Sequence, residues 1–166
     1  WIPVTATFKT ITHKFYEAEW QHGSITSAPS SSTGLLLPFI FPLSTYATQV
    51  LDDFLFVDGN TETWLLTKIY GPIASPWIEV TNYYKIETSS DFSLGPGEWL
   101  EIDPRPWSRK VMKNGTVPVA GKFKASSRRL SMQTLPPGVH KVTLHGVDPT
   151  GTARLETSWR NAWSTW

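Results

Sequence analysis

The chain has 166 residues and a mass of 18.7 kDa, which suits one domain with a hydrophobic core of its own. A composition with 40% hydrophobic and 17% charged residues excludes a wholly disordered chain, and the lack of cysteine excludes disulfides, thiolate metal sites and cysteine nucleophiles. The net charge is only +1, while 9 Trp, 5 Tyr, 8 Phe, 13 Pro and 11 Gly together predict many short strands joined by turns.

The first 46 residues are predicted to form an N-terminal arm. Residues 4–20 alternate apolar and polar side chains, which predicts one or two strands. Residues 24–34 are rich in Ser and Thr and are typical of a linker. Residues 35–43 are apolar but contain two prolines, so we expect an extended segment lying over a hydrophobic surface. This run is far shorter than the roughly 20 residues of a membrane-spanning helix, so no membrane span is predicted.

Residues 47–166 are predicted to form a β-sandwich domain. The pattern of alternating side chains and turn residues indicates an antiparallel sandwich, of the jelly-roll type, with strands about 8–12 residues apart. One helical turn is expected within 126–132. The predicted strands lie at 49–57, 61–70, 77–82, 83–89, 98–103, 109–113, 139–144 and 152–159.

Turn residues and tryptophans give two more specific expectations. Asn114-Gly115 is the strongest short-range hairpin signal. Gly97, Gly115 and Gly138 are expected at turn positions, with a positive φ angle at one or more of them. Trp99 and Trp159 are expected in opposite sheets or at sheet edges, with at least one of them buried in the core.

The charges divide unevenly at Pro104. Residues 1–104 hold 4 Lys/Arg and 12 Asp/Glu, whereas residues 105–166 hold 11 and 2. Such a division can indicate a nucleic-acid-binding tail. We favour the alternative, in which strands from the two halves lie side by side and neutralise each other, because the basic residues are scattered among apolar strand positions. No nucleic-acid partner is therefore predicted.

No catalytic or metal-binding pattern stands out. Paired carboxylates are the first candidates because glycoside hydrolysis needs two, but nothing distinguishes those present from surface residues. His140 and His145 would point to opposite faces of one strand, which argues against a shared metal. The sequence therefore predicts a protein that is not an enzyme and needs no cofactor. The carboxylates considered are Asp52, Asp53, Glu98, Glu101 and Asp103.

Six short segments together resemble one protein family. In chain order they read GPIASPWIEVTN, LGPGEWLEID, VMKNG, LPPGVH, GTARL and WRNAW, at 71–82, 94–103, 111–115, 135–140, 151–155 and 159–163. With these six segments taken together, the chain resembles the C-terminal part of the distal tail or minor tail proteins of siphophages. A phage of actinobacteria is the expected source. The family's N-terminal belt domain is missing, apart from residues 1–20 as a candidate remnant, so the chain is expected to be a piece of a longer polypeptide.

The resemblance implies a galectin-like or carbohydrate-module-like β-sandwich on the tail-tip hub. It implies that other tail proteins dock on the chain and that the chain forms a homo-oligomeric ring in the intact tail. It also implies a virion protein that is made in the cytoplasm of the host bacterium. The alternative function is a carbohydrate-binding module that contacts host-surface glycan. Exposed aromatic rings in a cleft would favour glycan binding, and flat apolar patches would favour docking. The candidate contacts for either function are Trp99, Trp107, Arg128 and Arg129.

Overall fold

The computed structural model describes residues 3–5, 13–26, 48–148 and 150–164. Within these ranges the chain forms strands and two 3₁₀ turns, at Ala120–Lys122 and Leu130–Met132. The strands are β1 Lys14–Tyr16, β2 Gln21–Thr26, β3 Thr48–Val57, β4 Thr63–Trp64, β5 Leu66–Tyr70, β6 Ile73–Val80, β7 Tyr84–Glu87, β8 Ser93–Leu94, β9 Trp99–Asp103, β10 Lys110–Lys113, β11 Val117–Pro118, β12 Thr134–Leu135, β13 Gly138–Val147, β14 Arg154–Trp159 and β15 Ala162–Ser164.

Two antiparallel sheets make up the fold. The first has six strands in the order β11-β10-β9-β5-β14-β2, and the second has the order β3-β13-β6-β7 with β8 added on β6. Two short pairs, β1–β15 and β4–β12, lie beside them. The described residues contain no α-helix, so the predicted all-β antiparallel sandwich is confirmed.

Both sheets contribute side chains to a single core. Leu100 and Ile102 of β9 and Val142 and Leu144 of β13 are each at most 1% exposed and belong to one cluster. Burying each such aliphatic side chain contributes about 1.5–3 kcal/mol relative to leaving it in water. The sheets approach so closely at β2 that a Cβ on Gly23 would lie 2.7 Å from the Leu55 side chain of β3.

The predicted arm includes strands that pair with the end of the chain. β1 pairs with β15, and β2 pairs along its whole length with β14. The prediction of a linker at 24–34 is wrong for its first three residues, because residues 24–26 belong to β2. Backbone pairing with β14 stabilises this strand despite its small and polar side chains. The rest of the predicted linker and the apolar segment at 35–43 lie outside the described residues.

The prediction of positive φ angles is confirmed, whereas the placement of the two tryptophans is wrong. Gly97, Gly115 and Gly138 have φ angles of +78°, +69° and +136°. β5 pairs with β9 on one side and with β14 on the other, so Trp99 of β9 and Trp159 of β14 lie in the same sheet. Neither strand is at an edge, because β10 and β2 flank them. Trp159 is only 5% exposed, which confirms that at least one of the two rings is buried.

Strands from the acidic and basic halves neutralise each other, as favoured above. Six ion pairs join a carboxylate before Pro104 to a Lys or Arg after it, and most run between neighbouring strands or their connections. Lys110 of β10 reaches Glu101 of β9 at 2.9 Å, for example. The uneven division of charge along the chain therefore becomes a mixed surface in the folded protein.

Candidate functional site

Four neighbouring strand ends meet at one end of the six-stranded sheet. In the antiparallel order β9-β5-β14-β2, the last residues of β9 and β14 lie beside the first residues of β5 and β2. The connections that leave these ends enclose a pocket, which we call the aromatic–arginine pocket. It encloses about 50 Å³, and its walls are Tyr16, Trp20, Thr63, Trp64, Arg105, Trp107 and Arg160.

One wall is the connection after β9, held by a buried ion pair. The Asp103 carboxylate is fully buried and accepts hydrogen bonds from Arg105 Nε at 2.9 Å and Nη2 at 2.6 Å. It also accepts one from the backbone N–H of Arg105. The Ser108 N–H donates to the Arg105 carbonyl, which closes a β-turn with Pro106 at its favoured second position. This turn presents Trp107 with 47% of its surface exposed.

The Asp103 carboxyl has a depressed pKa. Burial by itself would raise the pKa, but the hydrogen bonds from Arg105 and Ser108 outweigh burial and hold the pKa below its ordinary value. The same bonds raise the pKa of Arg105, so both groups stay charged at neutral pH. The guanidinium is therefore fixed in position, with the N–H groups that Asp103 does not use left free for other acceptors.

We expect Asp103→Asn to lower the free energy of unfolding by about 2 kcal/mol at pH 7, because it removes a charged hydrogen-bond acceptor from Arg105. A carboxyl whose pKa is depressed on folding stabilises the protein above its unfolded pKa of about 3.9, and that contribution is lost as the pH falls through the folded pKa. The difference between wild type and variant should thus shrink below about pH 4 in urea unfolding at several pH values. A difference that stays constant down to pH 2 would contradict the ion pair.

Further parts of these walls come from β1, from the β1–β2 connection and from the β14–β15 connection. Tyr16 packs edge-on against Trp107, with ring centroids 5.7 Å apart. The Trp20 ring, 36% exposed, has both guanidinium groups nearby, with its centroid 5.1 Å from Arg105 Cζ and 5.8 Å from Arg160 Cζ. These are cation–π distances, so both cations and the rings hold one another in place.

Two buried donors in the walls lack an acceptor. Tyr16 Oη and Trp64 Nε1 are shielded from solvent, and neither has a hydrogen-bond partner among the described residues. A buried polar group without a partner costs about 1–3 kcal/mol.

A second surface lies on the outer face of the other sheet. Phe54 and Phe56 of β3 are 56% and 68% exposed, and Val139 of β13, directly opposite Phe56, is 59% exposed. We call these three the Phe54–Phe56–Val139 patch. β3 is the outermost strand of this sheet among the described residues, and an ion pair between Asp52 and Lys141 borders the patch.

The structure separates the four predicted contact residues. Trp107 lines the aromatic–arginine pocket, whereas Trp99 lies half-buried at the opposite end of β9. Arg128 and Arg129 are exposed beside β7, where the Arg128 N–H donates to the Lys85 carbonyl. Sequence reasoning missed Tyr16, Trp20, Trp64, Arg105 and Arg160. The only local signal was Pro104-Arg105-Pro106-Trp107, a rigid segment ending in an aromatic ring.

Two of the carboxylates considered for catalysis form ion pairs with basic side chains. Glu101 binds Lys110 and Asp103 binds Arg105. Across the ranges that the structure describes, no three His, Asp or Glu side chains come together in a way that could hold a metal ion. In the same ranges, no helix is long and apolar enough to span a membrane.

Comparisons of the chain with protein-family models, with curated proteins and with solved structures give no match.

Proposed function

We propose that this chain is a structural component of a phage tail tip, a β-sandwich module on which a neighbouring tail protein docks. The family resemblance of the six sequence segments motivates the class of protein. The observation that carries the docking role is the Phe54–Phe56–Val139 patch. In this role the protein is made in the cytoplasm of the host bacterium and built into the virion, as a homo-oligomeric ring in the intact tail.

The pattern of β3 explains why the patch needs a partner. Residues 54–57 are apolar without interruption, with Leu55 and Val57 buried in the core and the two Phe side chains facing outward. Strands that are apolar on both faces usually are covered on both faces. A docking surface usually has aromatic side chains at its centre and charged groups at its rim. The partner expected here is a tail protein with an apolar surface framed by charges.

Single-cysteine crosslinking in assembled tails tests the docking role. Because the chain has no cysteine, Phe56→Cys carries one labelling site, and a photo-crosslinker attached there should capture a second virion protein. Thr116→Cys is the matched control, since it is exposed at the β10–β11 turn of the other sheet and should capture none. Equal capture from both positions, or virions that lack the chain, would contradict the proposal.

Carbohydrate binding is a second candidate function, favoured by the aromatic–arginine pocket. Exposed rings beside fixed hydrogen-bond donors match the usual composition of small-ligand sites, which are mostly apolar with a few well-placed polar groups. In this function the chain contacts glycan on the host surface. Trp107 lines this pocket, whereas Trp99, Arg128 and Arg129 lie outside it and stay predicted docking or glycan contacts.

A further inference from the structure

We propose that the aromatic–arginine pocket binds a pyranose ring that carries a carboxylate group. This inference rests on the second candidate function, carbohydrate binding, and is independent of the docking role. The enclosed cavity is only about 50 Å³, so the proposed sugar ring lies across the mouth of the pocket, on the exposed aromatic faces, and not inside the cavity.

The rings supply the apolar part of the site. Trp20 and Trp107 stand at the mouth with 36% and 47% of their surfaces exposed, and Tyr16 packs against the second of them. A pyranose has an apolar C–H face, which packs well on the electron-rich face of an aromatic ring. Because Trp107 sits on a turn closed by a backbone hydrogen bond next to two prolines, little backbone freedom is lost when a ligand binds.

Arg105 supplies donors for sugar hydroxyl groups. Its Nε and one N–H of Nη2 are bound to Asp103, so three of its five N–H groups are not used by that carboxylate. The bidentate ion pair fixes the plane of the guanidinium before a ligand arrives. A fixed donor set beside an aromatic face recognises the orientation of hydroxyl groups and not only their presence.

Arg160 accounts for the negative charge expected on the ligand. Its Nε donates to the Glu17 carbonyl and Nη2 lies 3.5 Å from the Tyr16 carbonyl, so both contacts are to neutral groups. The Glu17 carboxylate instead accepts a hydrogen bond from Asn161 at 2.8 Å. Among the described residues no carboxylate forms an ion pair with Arg160. A ligand carboxylate would supply the missing partner, and guanidinium binds carboxylate with two parallel hydrogen bonds.

Titration with two matched sugars, followed by the indole N–H signals of the ¹⁵N-labelled protein, tests the inference. Methyl glucuronide should shift the Trp107 and Trp20 signals, which Trp→Phe variants assign, and should bind at least about tenfold more tightly than methyl glucoside. The preference should decrease at 1 M salt, where the Debye length is only about 3 Å.

Variants separate the charge from the stacking surface. Trp107→Ala should abolish binding of both sugars. Arg160→Gln should lower the affinity for the glucuronide to that for the glucoside. Arg160→Lys should restore part of the preference for the glucuronide. Arg129→Gln is the control and should change nothing, since Arg129 lies outside the pocket. Equal wild-type affinity for the two sugars would overturn the inference while carbohydrate binding stands. Binding of neither sugar would overturn both.

Discussion

Trp159→Ala is expected to lower the free energy of unfolding by about 3–5 kcal/mol, the range for truncating a large buried aromatic side chain. Trp159 is 5% exposed and is part of the core cluster, at the end of β14. Its removal leaves a cavity between two sheets whose backbones cannot collapse far, because β14 is paired on both sides, with β2 and β5. Urea unfolding followed by circular dichroism measures the change.

Two companion variants make the result specific to burial. Trp107→Ala makes the same truncation at a ring that is 47% exposed, and should cost only about 1 kcal/mol, chiefly its contact with Tyr16. Trp159→Phe keeps most of the ring and removes an indole N–H that is buried without a partner, so it should cost less than about 1.5 kcal/mol. Equal costs for Trp159→Ala and Trp107→Ala would contradict the placement of Trp159 in the core.

Gly59→Ala is expected to lower the free energy of unfolding by about 3 kcal/mol, from backbone strain and a steric clash together. Gly59 has a φ of +111°, which side chains rarely adopt, and forms an isolated bridge with Ala162. A Cβ at this position would lie well under 3.0 Å from the Ala162 carbonyl oxygen. That oxygen also accepts hydrogen bonds from the N–H groups of Asn60 and Thr61, so moving it weakens both.

Gly121→Ala is the matched control for this substitution. Gly121 lies in a 3₁₀ turn, and nothing lies within 4 Å of the Cβ that alanine would add. The variant should therefore be stabilised by about 0.4–1 kcal/mol, because alanine restricts the unfolded chain. Thermal unfolding of the two variants side by side checks the contrast. A Gly59→Ala protein as stable as Gly121→Ala would show that the loop from 58 to 61 does not contact β15 closely.

The features predicted correctly from sequence are local ones. The hairpin at Asn114-Gly115 is confirmed, with φ angles of +53° and +69° at its two central residues, because only a few residue types tolerate that conformation. The strand at 139–144 was predicted from the turn residues before it and is confirmed as β13, although pairing with β3 extends it to Gly138–Val147. Turn residues and side-chain alternation act over a few neighbours, so they can be recognised without knowing which strands pair.

β2 shows where such local signals fail. Its residues QHGSIT have weak strand preferences, and the Ser/Thr-rich composition of residues 24–34 suggested a linker that begins within it. The segment is nevertheless a strand, because β14 offers backbone partners along its length and Gly23 leaves room for the Leu55 side chain of the opposite sheet. Both causes depend on residues more than 30 positions away.

By itself the sequence determined the all-β class, the main turns and the exclusion of thiol chemistry, since these follow from residue types and short-range backbone preferences. The tertiary structure decided which tryptophans are exposed, that Trp99 and Trp159 share a sheet, and that Tyr16, Arg105 and Arg160 line one pocket. Those features depend on the order and register of strands far apart in the chain. That order is set by how the whole core packs and by which edges pair, so no local pattern contains it.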